Sequence, residues 1–186
     1  MNAGGAPGWM WDVVDTVRVL SPDGELEDRA RAQCNPSYRD GGLGDAVVVG
    51  AVLRLTVDAK RAVAERTREF LLKKRAVQPV TERSCGCIFK NPDPELSGGR
   101  SAGRLLDESG AKGLSRGDAV VSPLHANFIL NRGRATASDV LGLVAEMRAR
   151  VAERAGIELE REVVSWADPP AGVPEAGGTP QNGRGG

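Results

Sequence analysis

The stretch from Ala137 to Ala155 constrains the fold more than any other part of the sequence. Val140, Val144, Met147 and Val151 recur at three- and four-residue spacing, so they line one stripe of a helix. Thr136 and Asp139 stand three apart at its start, as a capping box requires, and Gly156 suits the left-handed position just past its end. Such a helix draws most of its stability from a partner surface. The neighbouring sequence offers that surface. Ala119 to Val121 and Phe128 to Leu130 read as short strands, and a second helix is expected from Ser101 to Gly110, burying Leu105 and Leu106. Ile157 to Val164 reads as a further strand with Glu160, Glu162 and Val164 on one face.

The N-terminal third is β-rich. Asp15 to Leu20 alternates, with Val17 and Val19 on one side, and Ser21-Pro22-Asp23-Gly24 supplies a turn. A looser stretch runs to Tyr38-Arg39-Asp40-Gly41-Gly42. Val47 to Leu55 is apolar on both faces, the pattern of a central strand. A boundary near Val57 follows. Asp58 is the expected N-cap of a helix to about Arg75, with Val63, Phe70 and Leu71 on one face and Lys73, Lys74 and Arg75 complementing the dipole at its end. Gln78-Pro79 stops it. The expectation is an α+β fold in which residues 1–57 and 58–166 are separate domains, the second with three helices and a small sheet. Residues 167–186 form a Pro/Gly-rich tail with little to bury, expected to be disordered.

Charge narrows the function classes. The chain has 186 residues, with 25 basic against 25 acidic side chains, so no net field points to nucleic acid or to an anionic membrane surface. No apolar run approaches the roughly 18 residues of a membrane span. Met1 to Trp11 has neither the basic nor the apolar region of a signal peptide. Three cysteines cannot all pair within one chain, and reduced thiols in a cytoplasm are expected.

Chemistry concentrates in Ser84-Cys85-Gly86-Cys87-Ile88-Phe89-Lys90-Asn91-Pro92. Gly86 permits close backbone approach, Cys87 offers a small protic group, and Lys90 and Asn91 offer a cation and an amide to phosphate or carboxylate oxygens. The same residues also fit a tight turn with two half-buried thiols. Cys34, Cys85, Cys87 and His125 match a structural zinc in number, but Cys85 and Cys87 enclose only Gly86, tighter than usual zinc spacing, and no metal is assigned.

Taken in order, several motifs resemble those of the UDP-N-acetylenolpyruvoylglucosamine reductase family. The Gly86-Cys87-Ile88-Phe89-Lys90-Asn91-Pro92 run is similar to its Gly-Ser-aromatic-Lys-Asn-Pro motif, with Cys87 in the serine position. Ser101-Ala-Gly-Arg-Leu-Leu-Asp107, Val121-Ser-Pro-Leu-His-Ala-Asn-Phe-Ile-Leu-Asn131, the 137–155 helix and Gly156-Ile-Glu-Leu-Glu-Arg-Glu162-Val163 follow in the family's order. Tyr38-Arg39-Asp40 resembles its Tyr-Arg-Asp-Ser signature, while Asn2-Ala3-Gly4 and Trp11-Asp12-Val13-Val14 resemble the close of its FAD domain. The resemblance runs from Asn2 to Trp166.

It implies a β-rich remnant of an FAD-binding domain followed by a small α/β substrate-binding domain. NADPH reduces FAD, and the reduced flavin in turn reduces the enolpyruvyl ether of a UDP-sugar for peptidoglycan synthesis. Arg39 is implied as the cation facing the substrate carboxylate, Cys87 as the proton donor and Glu162 as the completing carboxyl. Read without the resemblance, Arg39 fits a surface turn and Glu162 a solvated strand edge. Asn91, Lys90, Arg75 and His125 are implied as substrate contacts, His125 alternatively as a structural histidine. Asn2, Ala3 and Gly4 are implied as a partial cofactor contact. The family's glycine-rich pyrophosphate turn has no counterpart in this sequence. That leaves open a truncated reading frame, a split enzyme with a separate chain carrying the flavin half, or a non-catalytic UDP-sugar-binding remnant.

Overall fold

The structure, a computed structural model, describes residues 1–5 and 8–165; the tail expected over 167–186 lies outside them. The chain divides into two compact units, Met1–Glu65 and Arg66–Gly186. The division falls inside a helix, beyond the expected boundary near Val57. The architecture is α+β.

In the first unit, short strands β1 (Gly4–Gly5) and β2 (Gly8–Trp9) pair antiparallel. Strands β3 (Val14–Leu20), β4 (Leu26–Ala30) and β5 (Val47–Leu53) form an antiparallel sheet in the order β4-β3-β5. A register irregularity between Val14 and Thr16 lets Val14 share the buried side with Val17 and Val19, and Trp11 packs against all three. The 21–24 turn closes the β3–β4 hairpin through Ser21 N–H to Glu25 O (2.8 Å).

Two expectations for this sheet need correction. The looser stretch after Gly24 contains β4, which has no apolar alternation to betray it. Its pairing with β3 makes it a strand, reinforced by a two-pronged Arg18–Asp28 ion pair at 2.7 and 2.8 Å. The Val47–Leu55 segment is not central but lies at the edge of this sheet, with Val47, Val48, Val49, Val52 and Leu53 all exposed. Its double-sided apolar pattern reflects what β5 can pair and pack with, whereas its place is decided by which strands the described residues supply.

In the second unit, β6 (Ser84–Cys87), β7 (Ser115–Arg116), β8 (Ala119–Val121) and β9 (Phe128–Asn131) make an antiparallel sheet in the order β6-β9-β8-β7. Helix α3 (Ala102–Glu108) and the long α4 (Ala137–Ala155) bring Leu105, Leu106, Leu143, Met147 and Val151 to one core with Ile88, Phe89, Val121 and Ile129. The expected caps of α4 are present. Asp139 N–H donates to Thr136 Oγ1 (3.1 Å), Thr136 N–H donates to Asp139 Oδ2 (2.9 Å), and Gly156 takes φ 67°. These Thr136 donors also hold the Asp139 carboxyl below its usual range. A one-turn helix, α2 (Pro94–Ser97), adds to the three helices expected; Asp93 caps it and Pro94 begins it.

Two elements differ from expectation in this part as well. Helix α1 (Lys60–Val77), which spans the division between the units, starts one residue later than an N-cap at Asp58 implies and buries none of its side chains, Val63, Phe70 and Leu71 included. Ile157–Val164 is extended, with Ile157 and Leu159 buried in the core as alternation demands, but in place of a strand ladder it makes one bridge, from Arg161 to Phe89, and a few hydrogen bonds. No helix among the described residues is long and apolar enough to cross a membrane.

Candidate functional site

The chemistry of the second unit is organised by the short run from Cys87 to Asn91. Strand β6 enters from Ser84, paired with Leu130 of β9, and leaves at Cys87, paired with Phe128. Gly86 lies between them at φ 84°, where the register shifts. An added Cβ there would meet nothing within 4 Å, so the backbone conformation rather than space calls for glycine. This bulge leaves Cys85 exposed and Cys87 half-buried. Partial enclosure pushes the Cys85 thiol up even though the residue as a whole is exposed.

Beyond Cys87 the run is gripped from both sides. On one side Ile88 N–H donates to Asn127 O (2.9 Å). The Asn127 carboxamide then takes Phe89 N–H on Oδ1 (2.9 Å) and returns Nδ2–H to Phe89 O (2.8 Å). On the other side Glu162 N–H donates to Ile88 O (2.8 Å) and Lys90 N–H donates to Glu160 O (2.9 Å). Cys87 therefore immediately precedes a residue bonded to the main chain of Glu162. These two sequence-assigned positions, 75 apart in number, are joined by this pairing.

Lys90 and Asn91 continue the run. Lys90 Nζ pairs with Glu160 Oε1 at 2.5 Å, so its ammonium already has a carboxylate partner on an exposed side chain. Asn91 Oδ1 accepts from Ala102 N–H (3.1 Å), tying the loop to the first turn of α3, where Ser101 Oγ caps Arg104 N–H. An ideal Cβ at Gly103 in the same turn would come within 2.7 Å of His125 Cε1, so the imidazole lies directly against the helix backbone there. His125 stacks edge-on against Phe128 (5.0 Å, 70°), and its Nδ1 accepts Asn127 N–H (3.2 Å). In the neutral ring the proton is then on Nε2. Burial is the main cause holding His125 below its ordinary value of 6.5, with Lys112 adding to the shift and Asp107 opposing it. Arg75 stands apart, exposed near the end of α1, and no hydrogen bond or ion pair links it to these residues among those described.

Arg39 belongs to the first unit. Ser37 and Asp40 exchange backbone hydrogen bonds at 3.1 and 3.2 Å, leaving Tyr38 and Arg39 as the central residues of a two-residue turn. Arg39 takes φ 62°, the position a type II turn normally gives to glycine or asparagine. Its guanidinium lies 5.0 Å from the Tyr38 ring centre and 6.0 Å from that of Trp9, and those two rings meet edge to face at 5.8 Å. Asn2 braces this turn from beneath: it is buried, its Oδ1 accepts Trp11 N–H (3.3 Å) and its Nδ2–H donates to Ser37 O (3.3 Å). Ala3 O accepts Met10 N–H (2.7 Å), and the Trp9 ring covers Gly4 so closely that a Cβ would fall 2.0 Å from Trp9 Cε3. One Nδ2–H and the oxygen of Asn2 are thus engaged in internal bonds, and an indole covers Gly4.

Among the described residues no three of His, Cys, Asp and Glu converge as a metal site needs. Sequence reasoning gives no role to Asn127 or Trp9 and none to Glu160 beyond its face of the strand. Asn127 lies within the quoted 121–131 motif, but its side chain gains meaning only from a partner 38 positions away.

Comparison with known proteins places this geometry. The family model for the C-terminal domain of UDP-N-acetylenolpyruvoylglucosamine reductase matches residues 78–166. Those residues belong to that reductase family. The match takes in the whole gripped run, His125, Asn127 and Glu162. Similarity extends further along the chain. The reductase of Desulfosudis oleivorans is 42% identical over 171 residues, covering 88% of this chain and 53% of the relative. That of Moorella thermoacetica is 40% identical over 169 residues, covering 90% and 54%. The crystal structure of the reductase from Thermus caldophilus superposes with a TM-score of 0.73 at 41% identity, covering 88% of this chain and 57% of that one. The chain spans about half the length of the curated reductases it matches.

Proposed function

We propose that this chain is the substrate-handling half of a UDP-N-acetylenolpyruvoylglucosamine reductase of the cytoplasm, acting in peptidoglycan synthesis. The observation that carries this reading is the Glu162 N–H to Ile88 O bond, which sets the Glu162 segment beside the Cys87 run. Reduction of an enolpyruvyl ether adds hydride at the methylene carbon and leaves negative charge on the neighbouring carbon and its carboxylate. The chain's part is to steady that charge and return a proton. Cys87 Sγ–H is the proton donor; a thiol is by its chemistry a stronger acid than the hydroxyl it replaces. Glu162 completes the polar surroundings, and Arg39 is the cation for the carboxylate, presented from a strained turn that keeps it in place. Asn91, Lys90 and His125 take the UDP-sugar, with Lys90 exchanging Glu160 for phosphate and His125 donating through Nε2–H. Arg75 joins them as a long-range cation.

FAD and NADPH belong to the whole reductase. In this reading another stretch of polypeptide, on this chain or a separate one, holds the flavin, and none of these residues acts through it. Nucleic acid and membrane are not partners.

One observation favours a second reading. The internal use of Asn2 and the covered Gly4 fit a UDP-sugar-binding module that holds no flavin. The test is a visible absorption spectrum of the purified polypeptide followed by calorimetry with the enolpyruvyl substrate. Substrate binding is the expected result. Binding that persists without substrate turnover, even after the flavin half of a related reductase is co-expressed and loaded with FAD, selects the module. A folded sample that binds no UDP-sugar removes both readings.

A further inference from the structure

The side chain of Asn127 is 3% exposed, yet it carries the only carboxamide in the core of the second unit among the described residues. Both ends of that carboxamide bond the main chain of Phe89, which is itself 1% exposed. The arrangement reproduces with a side chain what a strand does with its backbone. Strand β9 pairs with β6 at Phe128 and Cys87, and Asn127 O still receives Ile88 N–H. One residue further on the β9 chain has turned away: Phe128 N–H closes onto His125 O, and Ser122 Oγ receives both Leu124 and His125 N–H. Phe89 would there lose its ladder partner, and Asn127 replaces it. The backbone N–H of the same residue faces His125 Nδ1. Asn127 thus touches two parts of the proposed UDP-sugar site: Phe89, which precedes Lys90 and Asn91, and His125 itself, packed against Gly103.

We propose that Asn127 is the positioning residue of the substrate site, fixing the Cys87–Asn91 run through Phe89 and holding His125 as the Nε2–H donor through its own backbone N–H. The proposal rests on the substrate-binding reading above. Physically, an interior that excludes water leaves Phe89 N–H and C=O no substitute for the amide, so the run holds one conformation as long as Asn127 is there. Lys90 and Asn91 follow directly, and displacement of a supporting residue by about 1 Å is enough to spoil a polar site. Because the two Asn127 functions are on one residue, moving its backbone to relieve a lost side-chain bond also moves the donor to His125.

The experiment uses Asn127→Leu, close in shape but without either polar group, and Asn127→Ser, which leaves room for a water and is the variant to read if the leucine variant does not fold. Met147→Ala, a core change on α4, is the control for general loosening. His125 is the only histidine, so its two imidazole nitrogens give a single unambiguous pair of signals in a long-range 1H–15N spectrum. Calorimetry with the enolpyruvyl UDP-sugar gives the affinity. The expected result is a folded Asn127 variant with binding weakened about tenfold or more, the scale of one lost hydrogen bond or more. Its His125 Nδ1 signal moves from that of a hydrogen-bonded acceptor toward the solvent-averaged position, whereas Met147→Ala keeps the parent imidazole signals. A folded Asn127 variant with parent imidazole signals overturns the proposal, as does an equal imidazole change in Met147→Ala. If the parent itself binds no UDP-sugar, the substrate reading falls, and the imidazole spectra alone still decide whether Asn127 positions His125.

Discussion

Arg39 is the one described non-glycine residue at positive φ, and substitution there separates its chemical role from its conformational cost. A left-handed backbone costs an L-residue about 1–2 kcal/mol, and glycine is free of this. Against that, glycine makes the unfolded chain more flexible, at roughly 0.4–1 kcal/mol. Arg39→Gly and Arg39→Ala both forfeit the guanidinium contacts with Tyr38 and Trp9, about 0.5–2 kcal/mol at a half-buried site. Arg39→Ala keeps the strain and should lose the full contact term. Arg39→Gly should recover part of that loss. The gap between the two variants, about 0.5–1 kcal/mol in favour of glycine, isolates the backbone term. Urea unfolding followed by tryptophan fluorescence reads it, because Trp9 and Trp11 both lie in this unit. With a slope near ~1–2 kcal/mol/M the midpoints should differ by roughly half a molar. Both variants should lose turnover in the assembled reductase, since each removes the cation. Equal midpoints, or a more stable alanine variant, would refute the claim that the turn stores strain; parent turnover in either would remove Arg39 from the chemistry.

Cys87 gives a second test: Cys87→Ser should retain substantial turnover, whereas Cys87→Ala should slow proton delivery by about 10²–10⁴-fold, with an alanine variant at parent rate ruling the thiol out. The third concerns pH. The folded chain holds His125 below 6.5, chiefly through burial, so the unfolded chain binds that proton first as pH falls. Stability should therefore decline as pH drops from about 6.5 toward the lower folded value, and His125→Gln should flatten that part of the curve. Lys112 and Asp107 are the charged groups acting on the ring, while Asp139, shifted below 3.8, loses its contribution only at lower pH. Urea midpoints across the window decide it; a parent protein that gains stability on acidification would show that His125 is not the group concerned.

Local chemistry determined much of what was legible in the sequence. Helix α4 begins and ends where Thr136, Asp139 and Gly156 place it, α3 follows Ser101, and β8 and β9 lie where their short apolar runs lie, because caps and periodicity act within about one helical turn or strand pair. Ordered motifs likewise mark Cys87, Lys90, Asn91, His125 and Glu162 in the sequence alone. The tertiary structure decided what depends on partners far along the chain. Val47–Leu53 reads the same whether it is central or at an edge, and only the pairing order β4-β3-β5 places it. Leu26–Ala30 is a strand because β3 lies beside it, and Ile157–Val164 stays extended without a ladder because Phe89 has one side free for it and Asn127 on the other. The side chain of Asn127 carries no pattern of its own. It acquires a role only when a strand turns away one residue too soon and an amide must satisfy the buried backbone left behind.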